Sequence, residues 1–341
     1  MQEVAATRKL DSPTPICAGV DLGGTKISLV LGDSDGHIVA AEKIDTLPAA
    51  GPANAFERVA QLIGRLAQEA QNEASAIGVG APGLVDPNMG IIKFLPNLPK
   101  PWNGFPAVAF LREHTGKPAF LLNDARLAAL GEYSFGRERS SDMLVVTVGT
   151  GIGGGLILDG RLRLGVCGAA GEIGHHTILP DGPACSCGSR GCLETLISGP
   201  ALSARGAALA RSGAAPKLAA MVKGNWEAIT PREMAEAARQ GDQAVASAIE
   251  EAARYLGIGI ANAVTLTAVE QVVICGGVAA LGDLLLEPIR AVVRERVRMF
   301  PAEHVHIACS SLGDRVGALG ALALAFQHTG NTTRGIRKGN P

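Results

Sequence analysis

Two glycine-rich turns hold the residue types best suited to chemistry in this chain, Asp21-Leu-Gly-Gly-Thr-Lys26 and Gly149-Thr-Gly-Ile-Gly-Gly-Gly155. Glycine lets the backbone pass close to a ligand because no Cβ intervenes, so neighbouring N–H groups can converge on an anion. Gly23, Gly24, Gly149 and Gly151 offer such donors, Thr25 and Thr150 add hydroxyls, and Lys26 adds a cation. Asp21, at the head of the first turn, can hold Mg²⁺ through water, since magnesium keeps much of its hydration shell. The chemistry implied is phosphate binding. One such turn alone reads as a tight hairpin; two at equivalent places, each with a threonine, favour phosphate. Gly149-x-Gly151-x-x-Gly154 also has the form of a dinucleotide fingerprint, with Glu172 near the offset of a ribose carboxylate. That fingerprint opens a helix, whereas Leu156 to Leu158 followed by Asp159-Gly160 reads as strand and hairpin. The Walker pattern is absent.

A second constellation is Cys185-x-Cys187-x4-Cys192, preceded by His175. Three thiolates and one imidazole complete a closed tetrahedral Zn²⁺ site. Pro180, Gly182, Pro183, Gly188 and Gly191 make the intervening chain a loop that can bend round a metal. Buried structural thiols are the blander reading, and these loop-like neighbours weaken it. With no ligand position open, the metal is structural, and it positions Glu172, His175 and Glu194. A third candidate is Asn123-Asp124, where a strand meets a helix. Spacing alone puts a helix N-cap first for this pair; a carboxylate at a strand end is also placed to take a proton from a hydroxyl nucleophile.

The elements that must position these residues follow from period and punctuation. Ile16 to Val20, Ile27 to Leu31 and Ile38 to Ile44 read as strands, with turn chemistry at Gly32 to Gly36. Phe56, Val59, Ile63 and Leu66 recur at helical spacing. Ala76 to Gly80 and Ala119 to Leu122 are strands, and 125–135 is a helix. A second round begins with strand Met143 to Val148, the second glycine turn, strand Leu156 to Leu158 and a hairpin. Residues 200–260 are Ala-rich and mostly helical. Val272 to Ile274 is a strand ending in Gly276-Gly277, 283–298 a helix, His304 to Ala308 a strand and Gly317 to Gln327 a last helix. The reading is a duplicated α/β architecture of two domains with a cleft between them. Residues 1–15 form a loose arm. The smaller domain is 16–124 plus a C-terminal helix at about 314–328, the larger is 125–313 with the zinc loop, and 329–341 is a polar tail.

Composition bounds the function. The chain has 341 residues, of which 47% are hydrophobic and 18% charged, with a formal net charge of −1. That is an ordinary globular balance with no basic block to track a phosphate backbone, which argues against a nucleic-acid partner. Residues 1–15 lack the apolar core of a secretory signal, and the longest apolar stretch, Tyr255 to Val269, is short of a membrane span. Seven cysteines, an odd number, fit reduced thiols and a metal site in a cytoplasmic protein.

With these pieces in view, the sequence from about Ile16 to about Gln327 resembles the ROK family (repressors, open reading frames and kinases) of the actin-like ATPase superfamily. The resemblance is carried by Asp21 to Lys26, Gly80-Ala-Pro-Gly83, Pro96-Asn-Leu98 with Trp102, Asn123-Asp124-Ala125, Gly149 to Gly155, Gly171-Glu-Ile-Gly-His175, Cys185 to Glu194, and Cys275-Gly-Gly-Val278. It implies the two-domain actin-like, ribonuclease H-like fold and an ATP-dependent hexose kinase using Mg²⁺ and structural Zn²⁺, with no membrane partner. It implies that Asp124 is the catalytic base and Asn123 a sugar ligand, reversing the order that spacing gives. Glu172, His175, Glu194 and Gly83 contact the sugar by the same implication, and Gly276 and Gly277 face the adenosine. Without it, Glu172 is a solvated loop acid and Glu194 a first-turn helix acid. The family often has Asn two residues after the base, where this chain has Arg126, read as a helix-surface change. Phe94 to Trp102 resembles family glucokinases, so glucose is the expected sugar; N-acylmannosamine and other hexose kinases share most polar contacts, and polyphosphate is an alternative donor. A repressor is disfavoured by the roughly fifteen residues before the first strand, too few for a helix-turn-helix domain. A sugar sensor without turnover is disfavoured by the intact Asp21, Asn123 and Asp124. Family members are commonly dimers or tetramers, which implies a homodimer.

Overall fold

A computed structural model of the chain describes residues 14–95 and 98–329. The expectations for most of the N-terminal arm, for the tail beyond Thr329 and for Pro96 and Asn97 lie outside the described residues.

In chain order the elements are β1 (Ile16–Leu22), β2 (Lys26–Gly32), β3 (Ile38–Asp45), α1 (Gly51–Glu69), β4 (Ala74–Ala81), β5 (Leu84–Asp86), β6 (Ile91–Phe94), α2 (Ala107–Thr115), β7 (Ala119–Asn123) and α3 (Asp124–Phe135). There follow β8 (Met143–Val148), β9 (Ile152–Leu158), β10 (Arg161–Arg163), α4 (Glu194–Ile197), α5 (Gly199–Arg211), α6 (Pro216–Val222), α7 (Pro231–Arg239) and α8 (Gln243–Thr267). The chain closes with β11 (Gln271–Cys275), α9 (Asp283–Arg296), β12 (His306–Cys309) and α10 (Val316–Thr329). Two five-stranded sheets repeat one plan, β3-β2-β1-β4-β7 and β10-β9-β8-β11-β12. In each, an antiparallel pair built on a tight turn adjoins three parallel strands. The duplicated α/β architecture expected from the sequence is therefore present, with a glycine turn joining β1 to antiparallel β2 in one sheet and β8 to its neighbour β9 in the other.

Contacts divide the chain into two compact units. One holds the residues up to Ser141, Gly155–Ala170 and the chain from Arg315; the other holds Asp142–Gly154 and Gly171–Asp314. The sequence reading ended the first domain at residue 124, yet α3 belongs with the first unit. The reason is backbone-to-backbone packing with α10: a Cβ at Gly131 would stand 2.7 Å from the Val316 carbonyl oxygen, and one at Gly320 would overlap that of Leu127.

In the first unit, side chains of β1 alternate between faces. Ile16, Ala18, Val20 and Leu22 join the core made with Phe56, Val59 and Ile63 of α1. The opposite face carries Gly19 and Asp21. A Cβ at Gly19 would stand 2.6 Å from the Leu322 amide nitrogen, so α10 lies directly on this face. Consecutive residues 317–326 of α10 are all buried, as expected for a helix enclosed all round. In the second unit β8, β11 and β12 are parallel, and β8 and β11 are apolar along nearly their whole length, as strands covered on both faces must be. Among the described residues, no helix is long and apolar enough to cross a membrane.

Candidate active site

The first unit gathers its candidates at the carboxyl ends of three neighbouring parallel strands. Asp21 lies opposite Gly80, and Ala81 opposite Asn123. Ligands of open α/β sheets bind at these ends. The turn after Asp21 is braced from a distance. Gly23 donates its N–H to the Lys26 carbonyl at 2.9 Å, and the buried Thr46 gives its hydroxyl to the Gly23 carbonyl at 2.8 Å. The Thr46 N–H also reaches the Thr25 carbonyl at 2.9 Å. Lys26, expected at phosphate, instead pairs with Asp45, directly across the strands, at 2.6 Å.

Asp21 is pushed up to about 6, first by burial and then by the negative charge of Asp124, with Lys43 opposing. The two carboxylates expected to act in one reaction are thus close enough to feel each other. Burial comes from α10: a Cβ at Gly317 would stand 2.6 Å from the Asp21 carboxyl carbon. A side chain at 317 would push the Asp21 carboxylate from its place.

The helix cap falls to Asn123, whose Oδ1 accepts from the amides of Ala125 at 3.0 Å and Arg126 at 3.4 Å. Asp124 is the first helical residue, and its Oδ1 accepts from the Ala125 amide at 2.8 Å. Asn123 Nδ2 donates to the Gly83 carbonyl at 2.9 Å, which brings Gly83 to the same place. Arg126 overturns its reading as a surface change: it is 1% exposed, donates through Nη1 to Asn123 Oδ1 at 3.2 Å and through Nε to the Gly168 carbonyl at 3.1 Å.

In the second unit the Gly149 turn closes with a Gly149 N–H to Gly151 carbonyl bond of 2.9 Å, and the Gly199 amide caps the Gly149 carbonyl at 2.7 Å. Thr150 stands exposed. Glu194 Oε2 accepts from the Ile152 amide at 2.8 Å, and a Cβ at Gly151 would overlap that carboxylate. Glu194 is therefore seated on the glycine turn itself. Gly276 and Gly277 are exposed at the end of β11, beside β8, and Gly276 sits at φ +90 with a Cβ position only 2.5 Å from the Val148 carbonyl oxygen.

The ligand atoms of His175, Cys185, Cys187 and Cys192 all lie within 4.8 Å of one another. Cys185 Sγ is 3.7 Å from His175 Nδ1, and Cys187 Sγ is 3.7 Å from Cys192 Sγ. A tetrahedron with Zn–S bonds of about 2.3 Å has edges of about 3.8 Å, so the donor set fits zinc in both identity and size. The loop closes because Gly191 gives its N–H to the Pro183 carbonyl at 2.7 Å and its own carbonyl accepts from Ile178 and Leu179. His175 turns Nδ1 to the cluster and Nε2 to Glu172, 3.9 Å from Oε2.

Within the first unit, then, Asp21, Gly83, Asn123 and Asp124 come together. Within the second, Gly149, Gly151 and Glu194 do, as do Glu172, His175 and the three cysteines. Sequence reasoning missed Thr46, Gly317 and the burial of Arg126. The Gly317-x-x-Gly320 spacing in an apolar helix was a readable sign of close packing, but not of what lies opposite.

Residues 17–328 match the ROK family. The glucokinase of Thermotoga maritima is 35% identical over 316 residues, spanning 92% of this chain and 98% of that protein. The xylose repressor of Caldicellulosiruptor bescii is 32% identical, spanning 90% of this chain and 77% of that protein. Among solved structures, a ROK family glucokinase from Streptomyces griseus in complex with glucose and AMPPNP is 34% identical, with a TM-score of 0.79 over 92% of this chain and 99% of that one.

Proposed function

The chain belongs to the ROK family and is an ATP-using sugar kinase, and from that premise we propose that it phosphorylates glucose at the 6-hydroxyl with Asp124 as general base. The observation that carries this reading is the gathering of Asp21, Asn123 and Asp124 at the ends of β1 and β7, together with the glucokinase relatives.

Asp124 takes the hydroxyl proton as the oxygen attacks the γ-phosphorus of ATP and the bond from that phosphorus to the β-phosphate oxygen breaks to release ADP, a contribution of about 10²–10⁴-fold for a positioned base. Asn123 directs one amide N–H to the sugar, its other being held by Gly83. Glu172, His175 and Glu194 accept or donate at the remaining hydroxyls. Glu194 keeps Oε1 for the sugar while Oε2 holds the Ile152 amide. The backbone of Gly23, Gly24, Thr25, Gly149, Thr150 and Gly151 cradles phosphate, and Gly276 and Gly277 let the adenosine approach. Asp21 is the residue that would hold a Mg²⁺ brought in with ATP, and the ion would supply positive charge to offset that of the phosphates. Zn²⁺ on His175, Cys185, Cys187 and Cys192 is structural and fixes the loop from Glu172 to Glu194.

The test is a coupled assay with Mg-ATP and glucose, N-acetylglucosamine, N-acetylmannosamine, fructose, allose and xylose. Glucose is expected to give the highest kcat/KM, with glucose 6-phosphate as product. A higher value for another sugar overturns glucose. Binding without turnover for every sugar overturns the assignment of Asp124.

A further inference from the structure

We propose that Arg126 is a positioning residue of the sugar site, locking the Asn123 amide so that it meets the substrate as a donor only and tying it to the Gly165–Gly168 loop. The proposal rests on the reading of Asn123 as a sugar ligand. An Asn side chain carries an oxygen that accepts and an NH₂ that donates, and its direction is set by what surrounds it. Three donors converge on Asn123 Oδ1: the Ala125 amide at 3.0 Å, the Arg126 amide at 3.4 Å and Arg126 Nη1 at 3.2 Å. One carbonyl, that of Gly83, takes a proton from Nδ2 at 2.9 Å. Turning the amide over would set its NH₂ against three N–H groups and its oxygen against a carbonyl. The remaining Nδ2 proton is therefore what Asn123 offers a sugar hydroxyl, and it binds that hydroxyl through its oxygen.

The two backbone donors come with any helix N-cap. The guanidinium does not. It is 1% exposed, so its charge is held by hydrogen bonds rather than by water. Its fixed fork spans two acceptors at once, Asn123 Oδ1 through Nη1 and the Gly168 carbonyl through Nε at 3.1 Å. Gly168 belongs to an irregular loop with Gly165, Cys167 and Gly168 all at positive φ, four residues before Glu172. One side chain thus holds both a sugar-binding amide and the carbonyl of a positive-φ loop of the same unit. A lysine, with a point charge in place of a planar fork, cannot span both with the same geometry.

The experiment compares the full-length wild type with Arg126→Lys and Arg126→Met, using glucose titrated calorimetrically without nucleotide, and KM for glucose and ATP with kcat. Hydrogen bonds from a charged donor correspond to about 10–100-fold in affinity. Arg126→Met is expected to weaken glucose binding by that factor and raise KM for glucose in parallel, while KM for ATP stays within about twofold. Arg126→Lys is expected to fall between; should Arg126→Met not fold, a raised glucose Kd in Arg126→Lys carries the test. Unchanged glucose affinity in a variant that melts with the wild type overturns the proposal, as does equal loss for glucose and ATP. If the wild type prefers another sugar of the panel, the glucose reading has failed, and the same titration with that sugar decides the role of Arg126.

Discussion

Asp124 and Asp21 lie close enough for the charge of one to act on the other, and substitution of each tests a different property. Asp124→Asn keeps the size and loses the base, so turnover should drop by about 10²–10⁴-fold while calorimetry still shows sugar binding; near-normal turnover would remove Asp124 as the base. Asp21 carries an electrostatic cost. A carboxyl group whose pKa is raised on folding binds its proton more tightly folded than unfolded, so stability falls as pH climbs from about 4 to 6 and stays lower above that. A rise from 3.8 to about 6 corresponds to about 3 kcal/mol as an order of magnitude. Asp21→Asn should therefore be more stable than the wild type at pH 7.5 in metal-free urea titrations. The gain should shrink towards pH 5, and kinase activity should be lost. A less stable variant at pH 7.5 would contradict the burial account. At this scale the sequence marked which residues to watch, because two glycine turns recur at equivalent places and a carboxylate stands where a strand meets a helix. It did not mark Arg126, since a basic residue on a helix is ordinarily solvated, and only the enclosed fork between Asn123 and Gly168 makes it otherwise.

The strands and both glycine turns were readable from period and punctuation, because each is a local matter of alternating burial and turn chemistry. The hairpin of β5 and β6 was not, with strands of three and four residues too short to show a period. The brace of the first turn was equally invisible. Thr46 lies 23 residues from the Gly23 carbonyl it holds, and only the register of β2 on β3 brings them together. The Cys/His loop was legible because metal-ligand spacing is itself a local signal. A chelator is expected to release about one Zn²⁺ per chain, abolish activity and unprotect residues 171–194 to hydrogen exchange first, since the loop carries its own complete donor set. Full activity in zinc-free protein would leave the metal without a role.

Across the whole molecule the duplicated plan was foreseen, but the division into units follows packing that no window of sequence contains. The chain leaves the first unit after Ser141, returns for Gly155–Ala170, leaves again and comes back at Arg315. Neither unit is a continuous stretch. A chain cut after Asp314 should consequently lose the first unit rather than trim it, because β1 and β4 would be left without the helix against which Gly19 and Gly78 are fitted. Circular dichroism and dye binding to exposed apolar surface should report an expanded, aggregating product; a cooperative unfolding transition equal to that of the full chain would show that α10 is dispensable. The fitting of α10 onto β1 also sets a clock for synthesis. At about 5–20 residues per second, roughly 15–60 seconds separate the appearance of β1 from that of α10. For that whole interval one face of the nascent sheet is uncovered, so β1 is made long before the helix that completes its packing.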